Sequence, residues 1–171
     1  MKKNSIILYI VGILLIFESA FLLLPMMISI IYKDGNWMWY LLTVFICLIL
    51  GIPLARIKPG KNLSLKEGYI IVALCWVVLS IFGAVPLTLS GDIPDYIDAL
   101  FETVSGFTTT GASILPDVTV LSRSGMFWRS FMHWIGGMGV FMFMMAVLPM
   151  LGTSDMNLMR AESTGPSVER I

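Results

Sequence analysis

The chain has 171 residues, 57% of them hydrophobic and only 13% charged, with a mean hydropathy of +0.88 and no net charge at neutral pH. Soluble domains carry about 25% charged and about 45–50% apolar residues, so this composition excludes an ordinary water-soluble globule and points to lipid as the solvent. Zero net charge gives no field to attract nucleic acid, and the single histidine, His133, excludes a multi-histidine metal centre.

A membrane-crossing helix needs about 20 mostly apolar residues. The run 6–31 meets this, interrupted by Glu18, Ser19 and Pro25. Its basic start and the small residues near Ala20 resemble a secretory signal. A signal's apolar core covers only about 7–15 residues, whereas FLLLPMMISII continues the hydrophobicity past Ala20, so a retained membrane helix is expected. YKDGNW (32–37) is a turn with Asp-Gly chemistry and an interfacial aromatic. A second span is expected over about 37–55, followed by the basic loop RIKPGKNLSLK, and a third over 69–89. Cys47 and Cys75 lie inside apolar runs and read as buried free thiols.

The stretch GDIPDYIDALFETVSG comes next. Pro94 and the aspartates Asp92, Asp95 and Asp98 are suited to a helix start. Ile97, Leu100, Phe101, Val104 and Phe107 follow helical spacing. The helix expected over 95–105 is too short to cross a bilayer and has the length of a re-entrant segment. It runs into FTTTGASI (107–114), and a fourth span is expected over about 127–151. The tail 152–171 turns polar and reads as a cytoplasmic loop cut short. With the N-terminus inside, eight of the 11 Lys and Arg residues fall on the inner side, against Lys33, Arg123 and Arg129 outside. This bias places the N-terminus and tail in the cytoplasm, and the re-entrant helix enters from outside. The expected fold is an all-α polytopic membrane protein with four transmembrane helices, one re-entrant pore helix and a filter loop.

Non-helical backbone survives at membrane depth only when buried in protein or lining a water-filled cavity. A polar run after a re-entrant helix fits the second case, because inward-facing carbonyls can replace the water shell of a cation. Gly111 reaches the backbone angles this needs. The threonine hydroxyls can bond neighbouring backbone groups, and the helix aims its partly negative C-terminal end at the ion. Asp92, Asp95 and Asp98 would concentrate cations at an outer mouth. The competing reading is a polar turn between two membrane helices. The re-entrant-length helix before it and the new span after it favour a filter.

Three stretches, ALFETVSGFTTTGAS (99–113), FWRSFMHWIGGMGV (127–140) and LPMLG…MRAESTGP (148–166), resemble the TrkH/TrkG/KtrB/HKT superfamily of potassium transporters, in its TrkH/TrkG branch. That family is built from four membrane–pore–membrane repeats around one pore, and the TrkH branch adds an N-terminal helix pair. The resemblance implies that residues 1–60 are the accessory pair and 61–151 the first repeat. It implies that potassium is bound by the backbone carbonyls of Thr109 and Thr110, flanked by Thr108, Gly111 and Ala112, with potassium the only metal. Glycine at position 111 goes with potassium permeation in the family. The second glycine of TVGYG filters is missing, and His133 stands where relatives often carry glutamine. The implied function is potassium uptake without enzymatic activity or a cofactor, in a bacterial cell or inner membrane. The implied partners are the lipid bilayer, the remaining pore repeats, a second copy in a homodimer and a cytosolic nucleotide-binding regulatory ring, with no nucleic acid.

Other polar residues carry narrower expectations. Glu18, in the accessory pair, reads as a protonated or hydrogen-bonded packing group away from the pore. Glu102 is expected to bond neighbouring backbone, and Trp128 and Arg129 to anchor the outer interface. Gly136, Gly137 and Gly139 read as close helix packing rather than a hinge. The methionines of 138–150 read as membrane packing. Two alternatives to transport are a non-conducting membrane scaffold and an intramembrane hydrolase pairing His133 with Ser105 or Ser113. The hydrolase leaves the threonine run unexplained.

Overall fold

The computed structural model describes residues 4–57 and 65–147. Its regular elements are all helical: α1 (Asn4–Tyr32), α2 (Trp37–Ala55), α3 (Leu65–Ser90), α4 (Tyr96–Phe107) and α5 (Arg123–Val147), with a single 3-10 turn at Val118–Val120. Three helices among the described residues are long and apolar enough to cross a membrane, over Ile6–Tyr32, Trp37–Ala55 and Ile70–Ser90. The fourth expected span corresponds to α5, which begins four residues before Phe127. Its expected last residues, 148–151, lie outside the described residues, as do 58–64 of the basic loop and the tail.

Helix α1 runs unbroken through Glu18, Ser19 and Ala20, and Pro25, Pro53 and Pro86 sit inside α1, α2 and α3. Proline is tolerated in such helices because neighbours supply partners for the backbone groups it frees. Other carbonyls of α3 near Pro86 also accept side-chain bonds. Thr103 Oγ1 donates to the Ser80 carbonyl (3.0 Å), Tyr96 Oη to that of Ile81 (2.9 Å) and Trp128 Nε1 to that of Gly83 (2.9 Å). Thus the carbonyls in the turns before Pro86 fasten α4 and α5 to α3.

The helices α1 and α2 form one hairpin, packed so closely that a Cβ on Gly12 would lie 2.4 Å from the Ala55 amide nitrogen. Helices α3, α4 and α5 form a second group, with α4 between its longer neighbours, and α1 touches both α3 and α5. Phe21 of α1 meets Phe131 of α5 edge-on at 5.6 Å. Large apolar side chains such as Phe17, Ile31, Phe45, Ile49, Ile70 and Val77 point outward, as they do where lipid rather than water is the solvent.

Candidate functional site

Helix α4 has 12 residues and is about 18 Å long, well short of a hydrocarbon core about 30 Å thick. Asp95 caps it, accepting from the amides of Ile97 (2.8 Å) and Asp98 (3.2 Å). The buried face carries Ala99, Glu102, Thr103, Ser105, Gly106 and Phe107, whereas Ile97, Phe101 and Val104 are exposed. Glu102 and Ser105 therefore point toward the protein, as does Phe107, while the apolar stripe of Ile97, Phe101 and Val104 points away from it.

The threonine run begins where α4 ends, and the ending is specific. The Thr109 amide donates to the Gly106 carbonyl (3.0 Å) and the Thr110 amide to that of Ser105 (3.0 Å). This is the Schellman pairing, with Thr109 in the left-handed position that glycine usually fills. Thr109 has φ 57° and Gly111 φ 77°. A β-branched residue there is a true outlier, costing on the order of 1–3 kcal/mol. The threonine hydroxyls serve this turn: Thr108 Oγ1 donates to the Val104 carbonyl (2.7 Å) and Thr109 Oγ1 to that of Thr108 (2.7 Å), and Thr108 and Thr110 share a hydroxyl bond of 2.8 Å. Among the described residues nothing donates to the carbonyls of Thr109 or Thr110, and residues 108–114 are exposed.

The chain leaving the turn is held from behind. Ser105 Oγ donates to the Ala112 carbonyl (2.5 Å). The Glu102 carboxylate accepts from Ser113 Oγ (3.0 and 3.1 Å), from the Ile114 amide (3.1 Å) and from Arg129 Nε on α5. Helix α5 lies close enough to the end of α4 that a Cβ on Gly136 would fall 2.1 Å from the Phe107 carbonyl oxygen. The Gly-Gly step is close packing at Gly136, as expected from the sequence.

Several side chains sit elsewhere than the sequence implies. Trp128 is fully buried, edge-on to Phe107 with ring centroids 6.3 Å apart, and Arg129 is the partner of Glu102. Neither anchors an outer interface, because α4 occupies the side of α5 that a linear reading assigns to the membrane surface. Glu102 does bond backbone, at Ile114, but the ion pair with Arg129 was not legible. Glu18 is not remote from the second helix group: its Oε1 is 3.6 Å from where a Gly83 Cβ would be, a point also 3.1 Å from the Phe107 ring. Its oxygens have no hydrogen-bond partner among the described residues, so the hydrogen-bonded role does not hold there. Asp92 accepts from the Ser122 amide (3.0 Å) and hydroxyl (2.6 Å), Asp95 is the α4 cap, and Asp98 sits in that helix's first turn. All three lie toward the end of α4 opposite the threonines. His133 Nδ1 pairs with the Arg129 carbonyl (2.9 Å), and neither Ser105 nor Ser113 bonds it.

Comparison with known proteins gives a consistent answer. The family model described as TrkH, cation transport protein, matches residues 38–171. The chain is 39% identical over 147 residues to an uncharacterised cation transporter of Methanocaldococcus jannaschii, covering 86% of this chain and 31% of that protein. It is 39% identical over 161 residues to the Trk system potassium uptake protein TrkH of Escherichia coli K12, covering 92% and 33% respectively. The crystal structure of the potassium transporter TrkH from Vibrio parahaemolyticus aligns with a TM-score of 0.79 at 34% identity, over 87% of this chain and 32% of that one. The chain thus spans about a third of the length of the relatives it matches. A match over most of its length, with the same helical arrangement at 34% identity, makes this polytopic membrane protein a member of the TrkH cation transport protein family.

Proposed function

We propose that the chain is the first portion of a potassium-uptake transporter and supplies one quarter of its selectivity filter. The observation carrying this reading is the pair of carbonyls at Thr109 and Thr110, exposed and without donors among the described residues, at the C-terminal end of a helix too short to cross the bilayer. Thr108, Gly111 and Ala112 flank them. The relatives named as potassium uptake proteins add support. Carbonyl oxygens replace the hydration shell of potassium, the only metal involved, and the membrane potential drives entry with about 2.3 kcal/mol per charge per 100 mV. No cofactor and no bond-making step enters this mechanism.

In this proposal residues 1–60 form the accessory pair, 61–151 the first repeat and 152–171 a cytoplasmic loop. The termini face the cytoplasm of a bacterial cell membrane, in line with the bias of Lys and Arg. Asp92, Asp95 and Asp98 add negative potential near the outer entrance, while Asp92 and Asp95 also hold local structure. The remaining repeats complete the pore, and a second copy and a cytosolic nucleotide-binding ring are the proposed partners. In the full-length transporter, Gly111→Ser is expected to lower potassium-over-sodium selectivity in flux assays by roughly tenfold, about 1.4 kcal/mol of discrimination. An unchanged ratio in correctly assembled protein sinks the filter assignment.

A further inference from the structure

We infer that Glu102 and Ser105 are positioning residues which fix the path of the backbone leaving the filter, residues 112–114, and thereby help to set which ion the site accepts. This rests on the filter reading above. Neither residue is aimed at an ion: both lie on the buried face of α4, with Glu102 fully covered and Ser105 nearly so. Their polar atoms are spent on the outgoing segment. Ser105 holds the carbonyl of Ala112, the residue directly after Gly111. Glu102 holds the hydroxyl of Ser113 and the amide of Ile114.

The incoming side of the turn is fixed by helix-end bonds at Thr108, Thr109 and Thr110. Among the described residues the outgoing side has no such ladder, so its route depends on these side chains. Gly111 stands between the two sides at φ 77° with no neighbour within 4 Å of a notional Cβ. Nothing packs against it, and its carbonyl is aimed by whatever holds residue 112. A carboxylate buried in a bundle needs a cation, and Arg129 of α5 supplies it. The arrangement thus ties α5 to the filter through α4. A serine and a glutamate three residues apart lie on one helix face, and their bonds reach three consecutive residues, 112–114, of the outgoing segment.

The test uses the full-length transporter with three substitutions, Ser105→Ala, Glu102→Gln and Glu102→Asp, each compared with Gly111→Ser. Assembled protein is quantified by size-exclusion chromatography in detergent, and potassium and sodium fluxes are measured per assembled transporter in liposomes. Ser105→Ala removes one bond and leaves the ion pair. It is expected to lower the potassium-over-sodium ratio about threefold or more, as small displacements of a reacting or binding geometry do. Glu102→Gln is expected to lower it further, and Glu102→Asp, which keeps the charge on a shorter stem, to recover part of the loss. A purely structural role would reduce the amount of assembled protein and leave the ratio per transporter intact, and that outcome overturns the inference. Should Glu102→Gln fail to assemble, the ratio in Ser105→Ala decides alone. If Gly111→Ser shifts the ratio while Ser105→Ala does not, the positioning role falls and the filter stands. If none of the variants shifts it, both fall.

Discussion

Two residues of the turn reach the left-handed region for different reasons. Thr109 is driven there by the helix ending, whereas Gly111 lies in open space and needs only its own freedom. Adding a methyl group at Gly111 therefore meets no atom of the described residues. Gly111→Ala is expected to lower stability by about 1–2 kcal/mol through backbone strain alone, read as a drop in thermal unfolding temperature of purified transporter without loss of assembly. The glycine's backbone conformation was legible in the sequence, because few other residues tolerate it. The strain at Thr109 was not: a threonine in a polar run gives no sign that it must fill the place a glycine usually takes. Side-chain pairings between distant segments stayed hidden for a related reason. Glu102 and Arg129 are 27 positions apart, and only the docking of α4 on α5 brings them together.

The elements themselves were the most legible level, since apolar length and helix-start chemistry act locally. Helix α4 begins as its Asp-Pro signals indicate but runs two residues beyond the expected 95–105, because the Schellman ending lies within the threonine run. Helix α5 starts earlier than its apolar stretch: Ser122 and Ser124, hydrogen-bonded to aspartates of other loops, stabilise a polar first turn. The Gly-Gly step tests how closely α5 and α4 approach. Gly136→Ala places a methyl group into the Phe107 carbonyl and is expected to cost about 3 kcal/mol or more, seen as loss of assembled protein. Gly137→Ala, with its nearest neighbour 3.9 Å away, is expected to be neutral or to gain up to about 1 kcal/mol from helix propensity.

Across the molecule, the start of α5 is one of the places where the two helix groups meet. Asp34, from the turn between α1 and α2, accepts from the Ser124 amide (3.0 Å), and Asp92 accepts from Ser122. Both carboxylates thus stand where amides at a helix N-terminus lack partners. Burial alone would raise the Asp34 carboxyl, but hydrogen bonds from Ser29, Ser124 and Asn36 outweigh it and hold the group below its ordinary value of 3.8. An acid depressed in the folded state adds stability that is complete above the unfolded value and lost as pH falls through the folded one. Thermal stability is therefore expected to decline as pH drops below 3.8 toward that lower value, and less steeply in Asp34→Asn. An identical acid profile in wild type and Asp34→Asn would remove Asp34 from the junction's energetics.

The inverted face of α4 bears on synthesis at the ribosome. Every polar side chain on its buried side finds its partner between residues 80 and 129, before anything later in the polypeptide is needed. Once α5 has emerged, the short helix can lock into place with its hydroxyls and carboxylate answered. What it still offers outward is an apolar stripe and the bare carbonyls of Thr109 and Thr110. In the proposed transporter, the segment would therefore be able to settle in the bilayer before the repeats that complete the proposed ion site have been made.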